Sequence, residues 1–281
     1  MTAAKPRIWF ITGVSSGLGR ALARAALDVG DIVAGTVRRF EDQAAFSALS
    51  AERAIGLIME LTDEGAILQA VHTVEARFGY IDILVNNAGY GLVGAVEEAS
   101  LSEMRAQFEV NLFGALAVIQ AVLPGMRRRR SGRILNVTSV SGLAAWGGTG
   151  VYCASKFALE GATQALAQEV AELGVKVTNV APGGMRTDYA GRSLVLTEQA
   201  LSDYDGQGHY ARRALSERAG QEPSDPAKAA AAILKIVDVE NPPMHLLLGA
   251  DAVHYAMAAA GRFQTDLGQW LDLTLATAAD A

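Results

Sequence analysis

The chain has 281 residues, of which 51% are hydrophobic and 19% charged, with a formal net charge of −6 at pH 7. That length holds one large α/β domain with a substantial core, and the negative charge argues against general nucleic-acid binding. A single cysteine, Cys153, excludes an intrachain disulfide and fits a cytoplasmic setting, while neither a signal-peptide core nor a membrane span is expected.

Arg7-Ile8-Trp9-Phe10-Ile11-Thr12 is a short apolar run ending in Gly13-Val14-Ser15-Ser16-Gly17-Leu18-Gly19. A helical pattern (Leu18, Leu22, Ala25, Ala26, Val29) follows at once. Buried strand, glycine turn, helix is the order a dinucleotide site requires. Glycines let the main chain approach a pyrophosphate closely, and the helix N-terminus offers unpaired N–H groups to the anion. The spacing is G-x3-G-x-G, not the better-known G-x-G-x-x-G. The next strand, 31–37, runs into Arg38 and Arg39, where many NAD-specific sites place an acid for the ribose 2′-hydroxyl. A carboxylate repels a 2′-phosphate, whereas arginine holds it with charge-assisted hydrogen bonds. The expected cofactor is therefore NADP(H), with NAD(H) as the alternative.

Further strands are expected at 55–59, 83–86, 133–138, 176–181 and 244–248. They alternate with helices at 43–49, 64–78, 101–125, 151–173 and 226–239. Ser100-Leu101-Ser102-Glu103 reads as a capping box, and Asp225-Pro226 as an N-cap followed by proline in the first turn. Such alternation implies an α/β fold: a doubly wound parallel sheet of about seven strands with helices on both faces, in one domain spanning 1–281. Ligands then bind beyond the carboxyl ends of the strands.

Arg127-Arg128-Arg129-Arg130 falls between a helix and a strand and reads as a solvated turn. The long irregular stretch 183–224 is a candidate substrate lid. The alanine-rich extension 251–281, with Trp270, is expected to cover the site or a neighbouring subunit. His72, His209, His245 and His254 are scattered, so no metal site is expected, and His209 reads as a solvent-facing loop residue. The absence of G-x-S-x-G counts against a hydrolase on this sheet.

Tyr152 and Lys156 lie four residues apart, on one helix face, thirteen residues after Ser139. For a tyrosine to act at neutral pH its pKa must fall by roughly 2–3 units, about 3–4 kcal/mol, and a neighbouring cation has the right sign. The pair alone is common in packed helices; its surroundings give it weight. Thr12-Gly13-Val14-Ser15-Ser16-Gly17-Leu18-Gly19, Asn86-Asn87-Ala88-Gly89, Ser139, Tyr152-x-x-x-Lys156 and Pro182-Gly183 occur in this order. Together they resemble the short-chain dehydrogenase/reductase family, from about Arg7 to Thr187 and more loosely through Gly249.

The resemblance implies an oxidoreductase moving a hydride between NADP(H) and a ketone or secondary alcohol. In it Tyr152 is the acid/base, Lys156 depresses the tyrosine pKa and holds the nicotinamide ribose, and Ser139 bonds the substrate oxygen. Asn111 matches the helix asparagine that supports a water-mediated proton relay. Gly13, Ser15, Ser16, Gly17, Leu18, Gly19, Asn87, Ala88 and Gly89 line the cofactor cleft, and Pro182, Gly183 and Thr187 match the carboxamide end. Glu60 stands where the family often has an aspartate contacting adenine, beside the Leu61 peptide. The resemblance also implies a homodimer or homotetramer built on the two long helices.

Tyr90, Trp146, Met185 and Tyr189, with Leu194, are expected to face the substrate, and such a lining suits a medium-sized hydrophobic ketone or alcohol. A non-catalytic NADP(H)-binding sensor is the alternative from another class. The complete set of Asn111, Ser139, Tyr152 and Lys156 favours the enzyme.

Overall fold

Every residue of Ile8–Ile11 (β1) is buried, as a strand covered on both faces requires. The computed structural model describes residues 5–187, 193–217 and 220–279. After β1 the strands are Ile32–Val37 (β2), Ala54–Ile58 (β3), Ile83–Asn86 (β4), Gly91–Val93 (β5), Gly132–Val137 (β6), Val175–Pro182 (β7), Leu194–Leu196 (β8) and His245–Leu248 (β9). Seven of them form one parallel sheet in the order β3-β2-β1-β4-β6-β7-β9. The chain reverses direction across the sheet between β1 and β4, which opens a crevice at their carboxyl ends.

The helices are Gly17–Asp28 (α1), Phe40–Ser47 (α2), Glu64–Phe78 (α3), Leu101–Phe108 (α4), Ala115–Arg129 (α5), Gly150–Glu169 (α6), Tyr210–Glu217 (α7), Pro226–Val237 (α8), Ala250–Gln269 (α9) and Leu271–Leu275 (α10). Alternate residues of β1 feed two cores. Trp9 and Ile11 pack with Leu22 and Ala26 of α1 and Ile233 of α8, whereas Phe10 packs with Val74 of α3 and Val118 and Val122 of α5. Each such side chain contributes about 1.5–3 kcal/mol when fully buried. The expected capping box is present, with Ser100 Oγ accepting from the Glu103 N–H and Glu103 returning a bond to the Ser100 N–H. Asp225 caps α8 by accepting from Ala227 and Lys228. The fold is thus a single doubly wound domain, and its seven main strands match the expected ones to within about a residue at each end.

Three expectations change. The helix expected over 101–125 is interrupted by a π-helical turn, Glu109–Gly114, and continues to Arg129. By length and composition the run Leu101–Arg129 is able to cross a membrane, but Val118, Ile119, Val122 and Met126 bury it against the sheet. The arginine run is not simply a solvated turn: Arg129 pairs with Asp82 at 3.2 Å and donates to the Ile81 carbonyl, and Arg130 ends the helix at φ 52°. Part of the stretch read as irregular is ordered, because β8 pairs in parallel with β5 and α7 follows. The extension beyond Gly249 is helical, and residues 260–279 are exposed.

Candidate active site

The glycine turn is built by joining the ends of β1 and β4. Thr12 Oγ1 accepts the N–H groups of Asn87 and Ala88 at 2.9 and 3.0 Å, and Asn87 Nδ2 donates to the Thr12 and Gly13 carbonyls, both at 2.9 Å. Glycine is required here on two grounds. Gly17 has φ 58°, and a Cβ on Gly19 would lie 2.2 Å from the Gly13 carbonyl oxygen. Ser16 precedes α1 without capping it through its side chain, and the first turn carries no acid, so the helix end presents N–H groups to an anion. Arg38, at the end of β2, borders the same cavity. Arg39 is held by Asp42 at 2.8 Å and does not line it. Glu60 borders the cavity but accepts the Leu61 N–H at 3.0 Å, which occupies the peptide group expected to face adenine.

Across the cavity, Ser139 follows β6 and its Oγ accepts the Ser141 N–H at 3.0 Å. Tyr152 and Lys156 share the cavity-facing side of α6, with the ammonium 5.9 Å from the phenol ring centre. Lys156 is buried and donates to the Val137 carbonyl at 2.9 Å. Burial lowers its pKa to about 8, and the Glu160 carboxylate partly opposes that fall. Asn111 lies in the π-helical turn, where such distortions re-aim a side chain. Its Oδ1 accepts from the Tyr90 N–H at 3.1 Å, and its Nδ2 donates to the Tyr90 carbonyl and to Ser155 Oγ. Gly89 allows this approach: a Cβ there would meet Asn111 Oδ1 at 2.9 Å and Lys156 Nζ at 3.6 Å.

One cavity of about 810 Å³ joins both halves, lined by Gly13, Ser15, Ser16, Gly17, Leu18, Asn87, Ala88, Gly89, Ser139, Tyr152, Lys156, Pro182, Gly183 and Thr187. Of the residues expected to face substrate, Tyr90, Trp146, Met185 and Leu194 line it; Tyr189 lies outside the described residues. Burial raises the Tyr90 pKa, with a smaller push from Glu103. Tyr255, Tyr210 and Leu215 complete the apolar wall unannounced by any motif. Tyr255 meets Trp146 edge-on at 5.2 Å, so the first turns of α9 close the cavity while the rest of the extension leaves it.

His209 is not a solvent-facing residue. It is 8% exposed, with Nε2 at 2.7 Å from Glu98 Oε1 and Nδ1 at 3.0 Å from Asp205. The Glu98 bond, then the Asp205 bond, raises the His209 pKa. Burial works to raise the Glu98 pKa, but the Leu201 and Ala95 N–H groups and the His209 ring outweigh it and hold the carboxyl below its usual range. No cluster of His, Cys, Asp and Glu fit for a metal occurs among the described residues.

The geometry therefore offers an anion cradle of uncapped backbone N–H groups, a guanidinium at the end of β2, and a hydroxyl–phenol–ammonium group facing them. These residues fit a nicotinamide dinucleotide.

A family profile described as short chain dehydrogenase matches residues 7–194. Oxidoreductase BOA17 of Botryotinia fuckeliana is 40% identical over 97% of this chain and 99% of its own. The 3-ketodihydrosphingosine reductase of Bacteroides thetaiotaomicron is 36% identical over 87% of this chain and 88% of its own. Among solved structures, a short-chain dehydrogenase from Streptomyces avermitilis superposes with a TM-score of 0.93 at 38% identity, covering 99% of this chain and 100% of that one. Two more distant structures share the fold. One, from Burkholderia phymatum, is in complex with NAD (TM-score 0.79, 22% identity, 96% and 97% covered), and ElxO is bound to NADP (0.74, 24%, 89% and 100%).

Proposed function

The chain belongs to the short-chain dehydrogenase/reductase family of oxidoreductases, and from that premise we propose that it interconverts a hydrophobic ketone and its secondary alcohol with NADP(H). The observation that carries this reading is the placement of Ser139, Tyr152 and Lys156 on one wall of a cavity whose other wall is the glycine turn. NADP(H), when bound, supplies or accepts the hydride. The protein's own residues handle the oxygen and the proton. Ser139 Oγ donates a hydrogen bond to the substrate oxygen and fixes its position. In reduction Tyr152 delivers its phenolic proton to that oxygen; in oxidation the tyrosinate takes it back.

Lys156 stabilises the tyrosinate by its charge, and its bond to Val137 keeps the ammonium pointed at the phenol side of α6. Asn111 fixes the Tyr90 peptide through both its amide atoms and so shapes the floor behind Lys156. Arg38, exposed at the cavity rim, holds the 2′-phosphate and sets NADP(H) above NAD(H). Trp146, Tyr255, Tyr90 and Leu194 give the substrate end an apolar wall, which favours a medium-sized hydrophobic carbonyl compound. That the reductase relative from Bacteroides thetaiotaomicron is named for a keto substrate agrees with this direction. Residues 193–217 act as a lid that excludes water from the reacting centre.

The test is a panel of aromatic and aliphatic ketones and secondary alcohols, assayed at 340 nm with NADPH/NADP and NADH/NAD. Turnover of apolar ketones with a preference for NADPH is expected. Binding of NADPH without turnover of any compound would point to a sensor instead.

A further inference from the structure

Behind Tyr152 and Lys156 lies a buried carboxylate that the reaction as derived does not use. Glu160 is one turn beyond Lys156 on α6 and 2% exposed. Its Oε1 accepts from Thr138 Oγ1 at 2.7 Å, and its Oε2 accepts from Asn179 Nδ2. His245 Nε2 stands 3.1 Å from Oε2, within ion-pair range but off the axis of a hydrogen bond. Thr138 directly follows β6, Asn179 lies within β7 and His245 begins β9, so three strands and α6 converge on one side chain.

The same carboxylate touches the frame of the site on both sides. Thr138 lies between Val137, whose carbonyl takes the Lys156 ammonium, and Ser139. A Cβ on Gly142 would lie 3.0 Å from Glu160 Cγ and 3.0 Å from the Lys156 carbonyl, so the turn after Ser139 is packed on the Glu160 stem. An isolated buried carboxylate costs several kcal/mol, and an apolar side chain of similar volume is often no less stable. Here Thr138 and Asn179 both donate to the carboxylate, and Lys156 lies one turn away on the same helix.

We infer that Glu160 is a positioning residue: held by Thr138 and Asn179, its carboxylate keeps Lys156 cationic behind Tyr152. The inference rests on the reading that the Lys156 charge activates Tyr152. Burial alone drives a lysine towards its neutral form, and a neutral amine neither stabilises a tyrosinate nor holds its bond to Val137 as strongly. Glu160 is faced by Lys156 and His245 as charged or titratable groups, with Thr138 and Asn179 neutral. Lys156 is faced by Tyr152, by Glu160, and by neutral Asn111 across Gly89.

The experiment is a pH titration of the full chain labelled with [13C-ε]lysine, with the Lys156 resonance assigned from Lys156→Arg. In Glu160→Gln the Lys156 midpoint is expected to fall by roughly 1–2 pH units from the wild-type value, and Glu160→Asp, which keeps the charge, is expected to restore most of it. Where Glu160→Gln does not fold, Glu160→Met gives the same readout. Removing a negative charge also eases the first proton loss from the Tyr152–Lys156 pair. The alkaline limb of kcat/KM for ketone reduction therefore moves to lower pH in the same variant. An unchanged or raised lysine midpoint in a folded variant overturns the inference. Since the titration needs no turnover, that outcome leaves the oxidoreductase reading standing, whereas a lowered midpoint in a protein that reduces no ketone would sink that reading alone.

Discussion

Two parts of the cavity lining are held by different forces. The part carrying the glycine turn and, across from it, Ser139, Tyr152 and Lys156 hangs on a parallel sheet of seven strands, and its polar links, such as Asn87 to Thr12 and Gly13, run through backbone groups. The wall formed by 193–217 has a three-residue strand pairing and a set of side-chain anchors: Glu98 to Leu201 and His209, Glu103 to Glu198, and Tyr204 to Glu97. Backbone ladders inside a core do not titrate in the physiological range. Carboxylate–imidazole anchors do. The half that carries the proposed catalytic residues is therefore set in place, while the half proposed to enclose the substrate is adjustable by pH and by single side chains.

The rigid wall is most sensitive at its glycine turn. Gly19→Ala puts a methyl 2.2 Å from the Gly13 carbonyl oxygen and 2.4 Å from Asn87 Nδ2. A loss of about 1–3 kcal/mol in stability is expected, together with weakened cofactor binding, read by thermal melting and by NADPH fluorescence. A melting temperature equal to wild type would mean the turn is looser than described. Arg38→Asp, at the rim of the same wall, is expected to leave the fold intact and reduce the NADPH:NADH affinity ratio about 10–100-fold. An unchanged ratio removes Arg38 from the 2′-phosphate.

The adjustable wall answers to pH. The His209 pKa is raised in the fold, so its contact with Glu98 contributes fully below the ordinary histidine value of 6.5 and is lost as pH rises through the raised value. Glu98 is held below its ordinary 4.5, so its contribution is present above that value and is lost as pH falls through the lowered one. The anchor is thus strongest between about 4.5 and 6.5 and weakens on the alkaline side. Hydrogen exchange corrected for its intrinsic pH dependence should show protection around α7 falling from pH 6 to pH 9, with β1, β4 and β6 unaffected. His209→Gln should remove that dependence; a wild-type profile in the variant would release His209 from this role.

The sequence was most legible where structure is local. Buried parallel strands appear as apolar runs, and a glycine turn between strand and helix is a short pattern, so the sheet and the cradle could be read residue by residue. Tyr152 and Lys156 share a helix turn, which made their meeting readable as well. Contacts between distant segments left no such trace. The β5–β8 pairing joins two three-residue strands about a hundred positions apart, Glu98 reaches His209 across 111 residues, and Tyr255 meets Trp146 from the far end of the chain. The π-helical turn at Asn111 was hidden because its residues continue an apolar helical pattern. Arg129 looked like part of a solvated basic run because its partner, Asp82, stands on another connection.

On the proposed reading Tyr152 handles the proton while the glycine turn holds the cofactor independently of that proton. The direct measurement is Tyr152→Phe, with NADPH affinity followed by fluorescence and ketone reduction followed at 340 nm on the same preparation. Unchanged affinity is expected, with turnover reduced by about 10²–10⁴-fold. Turnover near the wild-type rate would contradict that reading.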